Sequence, residues 1–203
     1  MAFFDALVNQ VTSRLKREAS KAVNNAAQSA SQAIAKGRNH TESFTFASLP
    51  ASLAELKALP EASLDSAYKT TALCIAALCN LEKDANATWE MLDYLKGPEN
   101  VNEREKAFIK ERLAGKQYIT LSFFKGATPN NGYTPATPYT ITVSENPYSF
   151  DEENWATLYV TSGGADAPRP VKLRRKPSTN QWFVNDIQCL ADIRIPTEQD
   201  AWA

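Results

Sequence analysis

The sequence predicts an α+β fold: a long N-terminal amphipathic helix, then a helical layer over residues 52–114 packed on a small antiparallel sheet over residues 118–195. Three observations carry that expectation. Apolar residues recur at three/four spacing through the first half. The pattern turns to alternation in the second half, and Gly/Pro/Asn-rich turns separate the alternating runs. A cystatin-like curved sheet is one form such a layer takes. The expected division is 1–37 helix, 38–50 linker and 51–203 α+β domain.

The first element covers residues 2–36. Phe4, Leu7, Val8, Val11, Leu15, Ala19, Val23 and Ile34 lie on one stripe with no Pro or Gly between them, and Arg14, Lys16, Arg17 and Lys21 fill the other face. Such a helix needs something to cover its stripe. The expectation is self-association or docking on a partner through Phe3, Phe4, Leu7, Val8, Val11 and Leu15. The alternative is peripheral membrane contact by the same aromatic end and its flanking basic residues.

Residues 38–50 read as a linker. Ser52 and Glu55 then fit a capping box, and Pro60 stops that short helix. The next helix spans Ser63 to Lys83. Its centre, "ALCIAALC", bears no charge on any side, which marks a helix buried all round. A third helix follows Asp84, sets Trp89, Leu92 and Leu95 on one face and stops at Gly97-Pro98; a fourth starts at Asn102 with Glu105 and ends at Gly115.

"YITLSFF" (118–124) has strand composition. Residues 125–138 are turn chemistry, an extended loop held down by Tyr133. Strands are expected at 139–143, 155–162, 170–176 and 181–184, with a last one at 190–196 that turns Ile193 and Ile195 inward. In "SGGADAPRPVKLRRK" (162–176), Pro168 and Pro170 forbid the helix that a phosphate cradle needs. The stretch reads as a hairpin connection, with positive φ at Gly163 and Gly164, Asp166 bonding backbone N–H groups beyond it, and Arg169 at the strand entry.

Composition excludes several functions. A net charge of −1 draws the protein toward neither nucleic acid nor a membrane, although residues 1–40 hold six Lys/Arg against two Asp/Glu. Cys74, Cys79 and Cys189 have no CxxC spacing, which argues against a disulfide framework and zinc and fits a reducing, cytoplasmic setting. The N-terminus lacks the pattern of a secretory signal, and no run approaches the ~20 apolar residues of a membrane span. The single histidine, His40, falls in the linker, so a Ser-His-Asp or Cys-His set is not expected. Neither a metal site nor a cofactor is expected. Glu90, Asp93 and Lys96, and the acidic 151–153 turn, read as solvated charge.

The basic strand is the richest surface: Arg169, Lys172, Arg174, Arg175 and Lys176, with Tyr159 and Trp182 on flanking strands. The balanced net charge argues against nucleic acid there. The leading expectation is a non-catalytic interaction module. The alternative is an enzyme or ligand binder with a pocket between helices and sheet, lined by Tyr133, Asp166, Arg169, Lys172 and Arg174.

"SLDSAYKTTALCIAALCN", "MLDYLKGP", "FFKGATPNNGYTPATPYTITVSENPYSF", "YVTSGGADAPRPVKLRRK" and "LADIRIP" together resemble a family of bacterial proteins of unknown function, over residues 44–203. The N-terminal helix lies outside the resemblance. The resemblance implies a bacterial, cytoplasmic domain and assigns no catalytic residue. "QWFVNDIQC" is milder than the aromatic, acidic stretch of its relatives.

Overall fold

The computed structural model describes residues 39–202. The expected N-terminal amphipathic helix, with its candidate residues Phe3, Phe4, Leu7, Val8, Val11 and Leu15, falls outside the described residues.

Five strands form one antiparallel sheet in chain order: β1 Thr41–Phe46, β2 Tyr139–Ser144, β3 Trp155–Val160, β4 Arg169–Lys176 and β5 Gln181–Ile187. Five α-helices fall between β1 and β2: α1 Leu53–Ala58, α2 Ala67–Leu78, α3 Ala85–Lys96, α4 Glu103–Leu113 and α5 Tyr118–Leu121. The domain is therefore α+β, as the change of period indicates.

Helix α2 explains the charge-free "ALCIAALC" run. It packs against all five strands on one side and against α3 on the other. Every residue of the helix except Lys69 is buried. Ser66 caps it by accepting from the Tyr68 N–H. Helix α3 starts as its sequence suggests, with Asp84 accepting from the Ala87 N–H, and its stop is Gly97. Trp89, Leu92 and Leu95 are buried against the rest of the core. Helix α4 opens with a complete Asn102/Glu105 capping box. At α1 the box is altered: Ser52 accepts from the Glu55 N–H, while Glu55 reaches the Ala51 N–H instead of Ser52.

Four expectations need correction. The 38–50 linker contains β1, paired along its full length with β2 from Thr41↔Ser144 to Phe46↔Tyr139. Phe44 and Phe46 face the core, so the alternation of "TESFTF" is a half-buried strand. Residues 118–124 do not form a strand. Tyr118–Leu121 make one helical turn, and only Phe124 bridges Ile141. The hydroxyls of Thr120 and Ser122 donate to the carbonyls of Gln117 and Ile119, and Ile119, Phe123 and Phe124 are buried. Local hydroxyl bonds and core burial override strand composition there.

Residues 190–196 form no strand either. Ile193 is buried, but Ile195 is exposed, and Asp192 takes a positive φ that breaks extended geometry. The fourth correction concerns Gly163 and Gly164, neither of which has positive φ. They are demanded by proximity: a Cβ on Gly163 would sit 1.9 Å from the Ala127 carbonyl oxygen, and one on Gly164 2.0 Å from the Tyr133 hydroxyl.

Strands β2 and β3 pair only at Val143↔Val160 and Ser144↔Tyr159, then splay apart. The segment after α5 fills the gap: the Lys125 N–H donates to the Thr140 carbonyl, and the Gly163 N–H donates to that of Ser122. The hairpin between β3 and β4 is present, with Arg169 as the first residue of β4.

Candidate binding face and clefts

Strand alternation sorts the sheet into two faces. Phe44, Phe46, Ile141, Val143, Ala156, Leu158, Val160, Val171, Leu173 and Val184 are buried under the helices. The opposite face stays exposed or half-exposed among the described residues. On β1 and β2 it is a hydroxyl ladder, with Ser43 bonded to Thr142 at 3.0 Å and Thr45 to Thr140 at 3.2 Å. On β3 it carries Trp155, Thr157 and Tyr159. On β4 it carries Lys172 and Arg174, whose guanidinium lies 5.2 Å from the centre of the Trp155 ring. The candidate residues Lys172 and Arg174 therefore stand on this open face, Lys172 opposite Asp186 of β5 and Arg174 opposite Phe183.

The other candidates do not join them. Asp166 is 91 % exposed and pairs with Arg194. Backbone capping in that loop falls to Ser162 instead, which accepts from the Gly164 N–H at 3.0 Å and donates to Ser122 at 2.7 Å. Arg169 donates to the Asp192 carbonyl at 2.7 Å, and its Nε is buried without a partner. Tyr133 is fully buried, donates to the Arg194 carbonyl at 2.7 Å and stacks on Tyr118. It does hold the 125–138 loop down. Burial raises its phenol pKa. Tyr133 also lines a 330 Å³ cleft with Leu49, Gln117 and Tyr139. Neither Asp166 nor Arg169 lines that cleft or either of the two described next.

A second cleft, 340 Å³, occupies the splay between β2 and β3 and is lined by Thr140, Thr142, Thr161, Ser162 and Lys125. A third, 290 Å³, lies where the turn after α3 meets β4 and β5. Its floor includes Phe183, whose ring packs so close to Gly97 that a Cβ there would approach it to 2.4 Å. Lys96, Arg174, Arg175 and Lys176 surround that floor.

A polar cluster that the sequence did not single out sits beside β1. The Tyr68 hydroxyl donates to Glu145 Oε2 at 2.5 Å, and Glu145 Oε1 accepts from the His40 N–H at 3.3 Å. The His40 ring meets Tyr68 edge-on at 5.3 Å and lies 3.1 Å from Glu42 Oε1. Burial, with the Glu145 carboxylate adding to it, pushes the Tyr68 phenol well above its usual range. The only signal for this cluster is the alternation that makes residues 41–46 a strand.

The three cysteines are buried and unpaired. Burial pushes the thiols of Cys74 and Cys79 up to about 12, and that of Cys189 also upward. Thiols so placed are poor nucleophiles at neutral pH. Among the described residues no group of three or more His, Cys, Asp or Glu side chains is placed to hold a metal, and no helix is long and apolar enough to cross a membrane.

Residues 48–197 match the model of a family described as Domain of unknown function (DUF6935). No curated protein and no solved structure matches the chain.

Proposed function

The chain belongs to the DUF6935 family, and we propose that it acts as a non-catalytic interaction module of a bacterial cytoplasmic protein. The observation that carries this reading is the one-sided sheet. All five strands pack their inner side chains under α2. Their outer side chains form a broad face of paired hydroxyls, Trp155, Tyr159, Lys172 and Arg174. Antiparallel sheets tolerate a solvated face. This one is richer in half-exposed aromatic side chains than solvation requires, and such residues dominate binding surfaces. In this reading the amphipathic segment at 1–37 supplies the contact that joins the module to a second copy.

Light scattering coupled to size exclusion tests the association. The full chain is expected to be oligomeric, and a chain beginning at Asn39 monomeric. A monomeric mass for each chain would remove self-association. Hydrogen exchange on the full chain at low and high concentration tests the face: unchanged protection across β1–β3 would exclude it from the contact.

A further inference from the structure

Beyond docking by the sheet face, we infer that the cleft between the turn after α3 and strands β4 and β5 is a small-molecule site for a ring-bearing anion: an aromatic or alicyclic body carrying one carboxylate, sulfonate or phosphonate group. Two independent features of the cleft select that chemistry.

The floor selects the body. Phe183, Pro98, Pro177 and Val184 line it, and its apolar character comes from side chains of three separate segments. Gly97 has φ +67°, and the absence of its side chain admits the Phe183 ring. The floor is thus built by a backbone choice in the turn. At 290 Å³ the space lies just under the roughly 300–1,000 Å³ typical of ligand sites, which fits a single ring with one substituent.

The rim selects the charge. Four cations, Lys96, Arg174, Arg175 and Lys176, line the cleft against one carboxylate, Glu99. Lys96 is held by Glu105 at 2.5 Å, and Arg174 stands 3.8 Å from Glu99. Arg175 bonds only a neutral partner, the side-chain oxygen of Asn180, at 2.6 Å. No carboxylate of the described residues pairs with Arg175 or Lys176. Arg175 and Lys176 both line the cleft, and an anion bound there completes the two positive charges left over.

The β4–β5 register adds a third element. The ladder steps from Lys172↔Asp186 to Leu173↔Val184, which leaves Asn185 as the extra residue of a β-bulge. Asn185 lines the cleft, and its carbonyl accepts from Lys96 Nζ at 3.4 Å. The bulge therefore ties the end of α3 to β5 at the site and fixes the distance between floor and rim.

Phenylphosphonate is the probe, titrated into isotope-labelled full chain and followed by backbone amide shifts. Inorganic phosphate and benzyl alcohol are the comparators. Saturable shifts are expected at Lys96, Gly97 and Glu99, at 174–176 and at 183–185, with phenylphosphonate binding at least about tenfold more tightly than either comparator, a factor of ten being about 1.4 kcal/mol. Arg175→Gln with Lys176→Gln is expected to weaken the probe about tenfold while leaving the amide spectrum of the rest of the domain in place. Phe183→Leu is expected to weaken the probe but not inorganic phosphate. Equal binding of inorganic phosphate would reduce the site to a plain cationic patch and overturn the inference. So would shifts located elsewhere, or none by about 10 mM probe, a concentration that corresponds to negligible affinity. None of these outcomes depends on the oligomeric state.

Discussion

The Tyr68 hydroxyl donates to Glu145 Oε2 at 2.5 Å and ties the first turn of α2 to the loop after β2. The bond joins the helical layer to the sheet at the end where β1 enters. Glu145 also receives the His40 N–H, and its own N–H donates to the His40 carbonyl, so one residue staples β1, β2 and α2 together. Hydrogen bonds to a charged acceptor contribute about 1.5–3 kcal/mol, and Tyr68→Phe is expected to lower unfolding stability by that amount in urea titrations at pH 7–8.

The same residue gives a pH prediction. The phenol pKa of folded Tyr68 is raised above its ordinary value of 10.0 by burial and by Glu145. A group raised on folding contributes stability below its unfolded pKa and loses that contribution as pH climbs beyond it. The stability gap between wild type and Tyr68→Phe is therefore expected to be constant below about pH 9 and to narrow above pH 10. Urea midpoints at pH 8, 10 and 11 measure it; a gap that widens with pH would contradict the assignment.

Cysteine reactivity should report the fold rather than any chemistry. With Cys74 and Cys79 pushed up to about 12 and fully enclosed, native protein at pH 8 is expected to leave Ellman's reagent almost unreacted at these two thiols and at Cys189. In urea all three should react. Fast labelling of Cys74 in the native state would mean that α2 opens locally.

Gly163 and Gly164 separate two kinds of crowding. Gly163→Ala meets a backbone carbonyl that moves only with its whole segment, whereas Gly164→Ala meets the hydroxyl end of Tyr133. Both substitutions are expected to destabilise, by about 1–3 kcal/mol for an overpacked site and with Gly163→Ala at or above the upper end. Thermal melts of the two variants decide the order.

The Asp166–Arg194 pair lies on the surface, with side chains 91 % and 56 % exposed. Exposed pairs contribute about 0–1 kcal/mol, so Asp166→Asn should melt within a few degrees of wild type. Glu105→Gln is the contrast. Glu105 neutralises Lys96, whose side chain is only 9 % exposed, and accepts from the Asn102 N–H. Its loss is expected to cost about 1.5–3 kcal/mol, measured by the same melts.

The parts of this fold that sequence made legible were those decided by local chemistry. Asp84 and Gly97 bound α3 because capping is a matter of a few neighbouring atoms. The charge-free centre of α2 announced its position between two layers, since only a helix covered on every side dispenses with a polar face. Strands β2 to β5 followed from alternation. Lys172 and Arg174 were placed on a solvent face by the same period.

What failed depended on distant partners. Strand composition at 118–124 yielded to the burial of Phe123 and Phe124 and to the hydroxyl bonds of Thr120 and Ser122. Gly163 and Gly164 looked like turn residues, but their constraint comes from Ala127 and Tyr133, which belong to another segment. The cleft at the end of α3 was invisible for the same reason. Arg175 and Phe183 meet Pro98 there only through tertiary packing, and no sequence spacing encodes that encounter.

Strand β1 carries a consequence for synthesis. Phe46 pairs with Tyr139, and α1 to α5 lie between them in the chain. During translation β1 leaves the ribosome long before its partner β2 does. The helices emerge with no sheet to cover α2, and neither layer buries its apolar side alone. The domain must therefore wait for β2 and the hairpins after it and close late, as chains rich in distant pairings do. Until then the apolar side of "TESFTF" and the naked flank of α2 are what a nascent-chain chaperone would meet.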